Sequence, residues 1–146
     1  MLLIVIDSLR TDVPWHGYRR QNAPRLTALA KESVVYRRAY AISSTTARSI
    51  APLLVGRYPS EMVRSGSYFT TWYPDNVFVG ERLDKDEFET LALHSHAYFF
   101  RATGMAQGFE NYQVLPGTVL NDPEPEPSAE KLTETAKRMI SRAADP

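Results

Sequence analysis

The stretch Leu-Leu-Ile-Val-Ile-Asp, Leu2 to Asp7, constrains this chain more than any other. Its apolar residues run without alternation and close on a carboxylate. A strand with one wet face alternates polar and apolar residues. A continuous run predicts a central strand buried on both faces, as in parallel sheets. The residues that follow predict helices and strands in alternation. Ser8 to Asn22 reads as a polar loop. In "APRLTALAKES" Pro24 stands at a first helical turn, with Leu26, Leu29 and Ala30 on one face. "SVVYRRAYA", Ser33 to Ala41, favours strand through Val34, Val35, Tyr36 and Tyr40.

Composition narrows the classes. A chain of 146 residues suits one domain, and 43% hydrophobic with 23% charged residues is ordinary for a globular protein. The net charge of zero gives no support to nucleic-acid binding, which calls for a basic excess. No apolar run approaches the roughly 20 residues that span a bilayer. Met1 to Ile6 lacks the basic lead and small-residue cleavage site of a signal peptide. Absence of cysteine excludes disulfide and cysteine–zinc scaffolds and leaves the compartment open.

The next segment, "SSTTARSIAPLLVGRYPSE", carries N-cap candidates at Ser43 to Thr46 and helical spacing through Ile50, Leu53 and Leu54. Pro52 is expected near the first turn or at a kink, and Gly56 at the stop. Ser65 to Asp75 reads as a loop or short hairpin, and Asp75 or Asn76 as the cap of a helix through Lys85. Phe88 to His96 reads as a second buried strand, and residues 101–117 as loop. Asn121 to Ser128 is an acidic, proline-rich connector. A last helix from Ser128 to about Ala143 has the apolar stripe Leu132, Ala136, Met139 and Ile140. A core strand at the first residue and a helix at the last imply a portion of a larger domain. Alternation of this kind predicts an α/β fold with a mostly parallel sheet flanked by helices.

In such sheets reactive groups gather at the carboxyl ends of the strands. Asp7 ends one strand; it either ligates a hard cation or caps nearby loop amides. The Ser43–Thr46 cluster follows another strand and opens a helix. There the amides and dipole favour an anion, while ordinary N-capping, taken alone, is the simpler explanation of the hydroxyls. Arg48 and Arg57 are candidates to hold that anion through charge-assisted bonds. His94 and His96 alternate on the third strand, so they face one side and suit anion contact or protonation of a leaving group. Arg19-Arg20 and Arg37-Arg38 read as solvated charge, and His16 has no assigned role. Tyr68, Phe69, Trp72 and Tyr73 either line a substrate mouth or pack their own loop.

These residues resemble the N-terminal part of the sulfatase family, within the alkaline phosphatase superfamily. "LLIVIDSLRTD" is similar to the family's opening strand and metal-ligand Asp, here Asp7, with Ser8 where many members have a second Asp. "APRLTALAKESVVYRRAYA" resembles the helix and strand that lead to the nucleophile. The sulfatase signature runs Cys or Ser, any residue, Pro, Ser, Arg, then Leu-Leu-Thr-Gly after two variable residues. Counting back from Gly56-Arg57 puts Thr46 at the nucleophile, Arg48 at the Pro, Ser49 at the Ser and Ile50 at the Arg. His94-Ser95-His96 falls where the family often has Lys-x-His, and "QGFENYQ" resembles its Gly-Phe-Asp turn. The matches keep family order from residue 2 to about 112.

The resemblance implies an alkaline phosphatase/sulfatase-like fold and a metal-dependent hydrolase of sulfuric esters. Thr46 would be the nucleophile and a metal ligand with Asp7. His96 would be catalytic, and His94 and Arg48 would bind substrate. The metal would be Ca²⁺ or Mg²⁺, with Mn²⁺ or Zn²⁺ as alternatives. The substrate would be a small-molecule, glycan or lipid ester of sulfate or phosphate. The rest of the sulfatase domain would complete the site, the 146 residues alone would be inactive, and the compartment would be extracytoplasmic. Two departures stand out. The methyl on the Cβ of Thr46 forbids conversion to formylglycine, and Ile50 occupies the signature Arg position. A phosphodiesterase or phosphotransferase using Thr46, or a non-catalytic module, are the competing readings.

Overall fold

The computed structural model describes residues 1–83, 87–115 and 129–143. They fall into two compact units, Met1–Ala41 and Ile42–Pro146. The predicted connector at Asn121 to Ser128 lies outside the described residues.

In the first unit, helix α1 spans Pro24–Lys31 and opens at the proline, as the sequence predicts. The ring presets φ, and a first-turn residue needs no amide hydrogen. The Thr27 hydroxyl and amide both donate to the Ala23 carbonyl, at 2.7 and 2.9 Å. The helix packs on a tight 3-10 turn at Pro14–His16. Both strands expected in this unit are absent. Leu2–Asp7 and Ser33–Ala41 form no ladder, and Ile4 and Val34 are 71% and 80% exposed. A doubly buried strand needs a hydrogen-bonded neighbour and cover on both faces. Among its described residues this unit supplies only one short helix and one 3-10 turn. The arginine pairs at 19–20 and 37–38 are exposed, as expected.

The second unit is α/β. Helix α2 spans Thr46–Val55, α3 Val79–Arg82 and α4 Ala129–Arg142; strands β1, Leu91–His94, and β2, Asn111–Val114, pair in parallel. Leu91 lies opposite Asn111, and His94 opposite Val114. The parallel pairing agrees with the sequence, but β2 was expected to be loop. A polar "NYQV" segment gives no apolar run to detect. It becomes a strand because Thr90 stitches its entry: the Thr90 hydroxyl donates to the Gly108 carbonyl at 2.7 Å and accepts from the Glu110 amide at 3.1 Å.

The predicted long helix to Lys85 shrinks to α3, within the described residues. Asn76 does not cap it. Its buried side chain clamps the preceding hairpin instead, donating to the Val63 and Tyr73 carbonyls at 2.6 and 2.8 Å and accepting from the Val63 amide at 3.0 Å. That hairpin brings Arg64 opposite Trp72 in an antiparallel bridge, in accord with the loop-or-hairpin reading. Trp72 is core, 1% exposed, whereas Tyr68 and Phe69 are exposed and meet edge to face. Pro52 sits deep inside α2 rather than in its first turn. It leaves the Arg48 carbonyl without its usual amide partner, a cost borne by burial of the ring in the core. α4 packs on β1 through Thr135 and Met139, while Ile140 of the predicted stripe is exposed.

One core joins α2 to the hairpin and to β2: Ala47, Ala51 and Val55 of α2, with Met62, Trp72, Phe78, Tyr98, Phe99, Met105 and Tyr112. Its polar handles are paired. The Trp72 indole donates to the Tyr98 hydroxyl at 2.6 Å, which donates to the Thr70 carbonyl at 2.7 Å. The Tyr112 hydroxyl donates to the Phe99 carbonyl at 2.6 Å. Burial pushes the Tyr98 hydroxyl up to about 12, so it stays a donor across the working pH range. His94 ends β1 with its ring stacked on Phe99, centroids 4.2 Å apart and planes 4° from parallel. Its Nε2 is buried with no hydrogen-bond partner among the described residues.

Two predictions follow from this packing. A Cβ on Gly80 would strike the Gly108 carbonyl, and both partners are backbone. Gly80→Ala should therefore cost about 1–3 kcal/mol by overpacking, read as a lower urea midpoint at unchanged slope. For His94, burial lowers the ring's pKa from 6.5 to about 4. Between those values the unfolded chain binds more protons than the folded one, so stability falls as pH drops through the window. The loss by pH 4 should be about 3 kcal/mol at most. His94→Phe keeps a stacking ring and should flatten the slope of stability against pH between 6.5 and 4; an unaltered slope would place the titrating group elsewhere.

Candidate functional site

The hydroxyl-rich entry to α2 resolves into distinct tasks. Thr45 is the flanking residue, extended at φ −113° and ψ 136°, and its side chain caps no amide. Ser43 instead makes the local turn. Its hydroxyl accepts from the Thr45 amide at 3.2 Å and lies 3.1 Å from the Thr45 hydroxyl. The Ser49 hydroxyl reaches back to the Ser43 carbonyl at 2.7 Å and ties this turn to the helix. Thr45 therefore supplies no side-chain cap, and Ser43 takes the local structural task at this end. Thr46 is the first helical residue and is half-buried. Its neighbour Ala47 is anchored in the core, so the helix end is rigidly placed. The positive end of the helix dipole lies at this point.

Arg48 is half-buried in the first turn of α2. Residues two apart on a helix point to different sides, so Arg48 and Thr46 diverge as they leave the backbone. Arg57 is not part of this end. It follows Gly56, whose left-handed φ of 74° closes the helix, with both amides directed to the Pro52 carbonyl. The ten-residue helix puts Arg57 about 15 Å from the N-terminus, which corrects its expected role in holding the same anion.

The histidines converge on one ring. His94 stacks on the face of Phe99, and His96 meets it edge-on at 6.1 Å and 81°. Phe99 shares its core with Ala47, beside Thr46. The two histidines and the α2 entry thus belong to one packed unit. Their environments differ. His94 is desolvated and neutral above its lowered pKa of about 4. His96 is exposed, and its Nδ1 accepts from the Tyr98 amide at 3.1 Å. In the neutral ring that bond leaves the proton on Nε2, on the side away from the backbone. His96 therefore presents an N–H donor. Sequence reasoning found the pair but missed Tyr98 and Phe99, which set the tautomer and the ring positions. The signal was the "AYFF" that follows His96.

Asp7 lies in the other unit, at an exposed turn. The residue after it, Ser8, holds φ at +54°, a left-handed conformation rare outside glycine and concentrated at functional turns. For a metal the donor set is thin. Among the described residues no three His, Cys, Asp or Glu side chains gather into a cluster able to hold an ion. Asp7 alone does not satisfy a hard cation that takes six or more oxygens. The described residues do not fit a complete metal centre, and no step below passes through a metal.

Two comparisons, with curated proteins and with solved structures, return no significant match. The family comparison does. The model for sulfatases matches residues 1–146, the whole length of the chain. That family hydrolyses sulfate esters and generally uses a divalent metal. The match takes in the helix that presents Thr46, the paired histidines and the Gly-Phe turn into β2, so the order of motifs seen along the sequence has a common origin: this chain belongs to the sulfatase family.

Proposed function

We propose that this chain carries the nucleophile element of a sulfatase-like ester hydrolase that works through a covalent intermediate on Thr46. The observation that carries the reading is the entry to α2: Thr46 opens a core-anchored helix whose flanking residue supplies no side-chain cap. A sulfate or phosphate group at that end meets helix amides and the positive end of the dipole. Thr46 Oγ1 bonds to the sulfur or phosphorus as the ester oxygen departs, and its hydroxyl proton passes to water. The departing oxygen accepts a hydrogen bond from His96 Nε2–H and takes its proton from the water that received the threonine proton. Water then cleaves the threonine ester and frees the nucleophile. His94, with its unpartnered Nε2, is the proposed second contact to the anion, and Arg48 adds charge at the helix end.

Further carboxylate donors would have to join Asp7 to make a metal centre. We place them in a remaining part of the sulfatase domain, and without it residues 1–146 should not turn over. A divalent ion such as Ca²⁺ or Mg²⁺ supplies Lewis-acid stabilisation of the anion when bound. An extracytoplasmic setting goes with this reading.

The phosphate-ester branch has a specific observation in its favour. Threonine cannot become the formylglycine that sulfate hydrolysis uses, whereas a threonine hydroxyl can attack phosphorus directly. Ile50 at the signature Arg position favours a non-catalytic module.

The test is peptide mapping after incubation of protein containing this chain and the completed domain with paired aryl sulfate and aryl phosphate. We expect the transferred group on the α2 peptide, lost in Thr46→Ala and kept in Thr45→Ala. The ester that labels identifies the branch. His96→Ala should lower turnover by about 10²–10⁴-fold, least for esters with acidic leaving groups. Labelling that survives Thr46→Ala would sink the proposal, and absence of any labelling by either ester would favour the non-catalytic reading.

A further inference from the structure

Away from the α2 entry, β2 and α4 enclose a surface notch of about 230 Å³. It is lined by Asn111 and Gln113 of β2 and by Arg138, Met139 and Arg142 of α4. The two arginines lie one helical turn apart and so share a face. Asn111 and Gln113 alternate on the strand and share a side as well. Among the described residues no carboxylate lines the notch. Among the described residues neither guanidinium pairs with an acid, and Glu134, one turn before Arg138, engages Lys137 at 3.3 Å instead.

The polar groups are also orientated. Arg138 Nη2 donates to the Thr135 hydroxyl at 3.2 Å, which steadies the guanidinium over the helix. Gln113 Nε2 donates to Asn111 Oδ1 at 3.1 Å, which occupies that acceptor and leaves the Asn111 amide group as a donor. Met139, buried beneath, gives the notch an apolar floor. Arg142 in the last turn also complements the helix dipole, but that role asks nothing of Arg138 or of the strand amides.

We infer that this notch binds a tetrahedral oxyanion, a phosphate or sulfate group, between the Arg138 and Arg142 guanidiniums and the carboxamides of Asn111 and Gln113. Two guanidinium forks supply paired donors to a multivalent anion, and the carboxamides cover the remaining oxygens. The site needs nothing from Thr46 and is independent of the reaction proposed above.

The experiment follows backbone and side-chain amide signals by NMR while inorganic phosphate, sulfate or formate is added at constant ionic strength set with chloride. Phosphate and sulfate should give saturable shifts at Asn111 and Gln113, and planar formate should bind at least about tenfold more weakly. Arg138→Ala and Arg142→Ala should each weaken binding by about tenfold or more. Arg138→Lys, which keeps charge but loses the fork, should weaken it less. Arg57→Ala, which removes the same charge from the end of α2, should change nothing. Loss of equal size in Arg57→Ala would show a diffuse charge effect and overturn the site. So would shifts confined to Thr46 and Ala47, which would locate the anion at the α2 entry alone, or no response beyond that of chloride.

Discussion

The side chain of Thr90 holds together the entry to the parallel strand pair. A two-stranded parallel sheet with four residues per strand has little intrinsic stability. Its connection must also bring the chain back beside itself without a long crossover helix. Thr90 solves both problems at one point. Its hydroxyl takes the Gly108 carbonyl and the Glu110 amide, and its own carbonyl accepts the Glu110 and Asn111 amides. The ladder then continues in register from Leu91 against Asn111 to His94 against Val114. Gly108 completes the entry with a φ of 77°, where a Cβ would strike the α3 backbone. The Gly-Phe element that looked like a family marker is therefore a physical necessity at this crossing.

From that register the histidines acquire their places. His94 is carried to the end of β1, against Phe99, and the chain turns so that His96 meets the edge of the same ring. Phe99 in turn belongs to the core that seats α2. A packed ring thus couples the strand end to α2, since close-packed interiors transmit displacement rather than absorb it. Two histidines two residues apart obtain different chemistry by this route. One is desolvated and kept neutral, and the other is solvated with its tautomer set by a backbone amide.

Some of this was legible beforehand. α1 and α2 announced themselves through Pro24, Gly56 and helical spacing, and α4 through its apolar stripe. Parallel pairing was legible from the alternation of strand and helix patterns along the chain. Other parts were not. "NYQV" has no strand signature, because its pairing rests on Thr90, some twenty positions earlier. Leu2–Asp7 has every mark of a buried strand yet forms no ladder, because a strand needs a partner that no local pattern supplies. Arg57 looked close to the α2 entry in sequence and is removed from it by the rise of one helix.

By itself the sequence determined the residue types and their order: a carboxylate after an apolar run, a threonine at a helix start, and an alternating histidine pair. These follow from local propensity and periodicity, which act over a few residues. Tertiary structure alone decided which hydroxyls are consumed in the turn and which histidine is buried. It also decided that β2 exists and that Arg138 and Arg142 face Asn111 and Gln113. Each of those outcomes depends on groups distant along the chain competing for the same hydrogen bond or the same space, and only the folded packing settles such a competition.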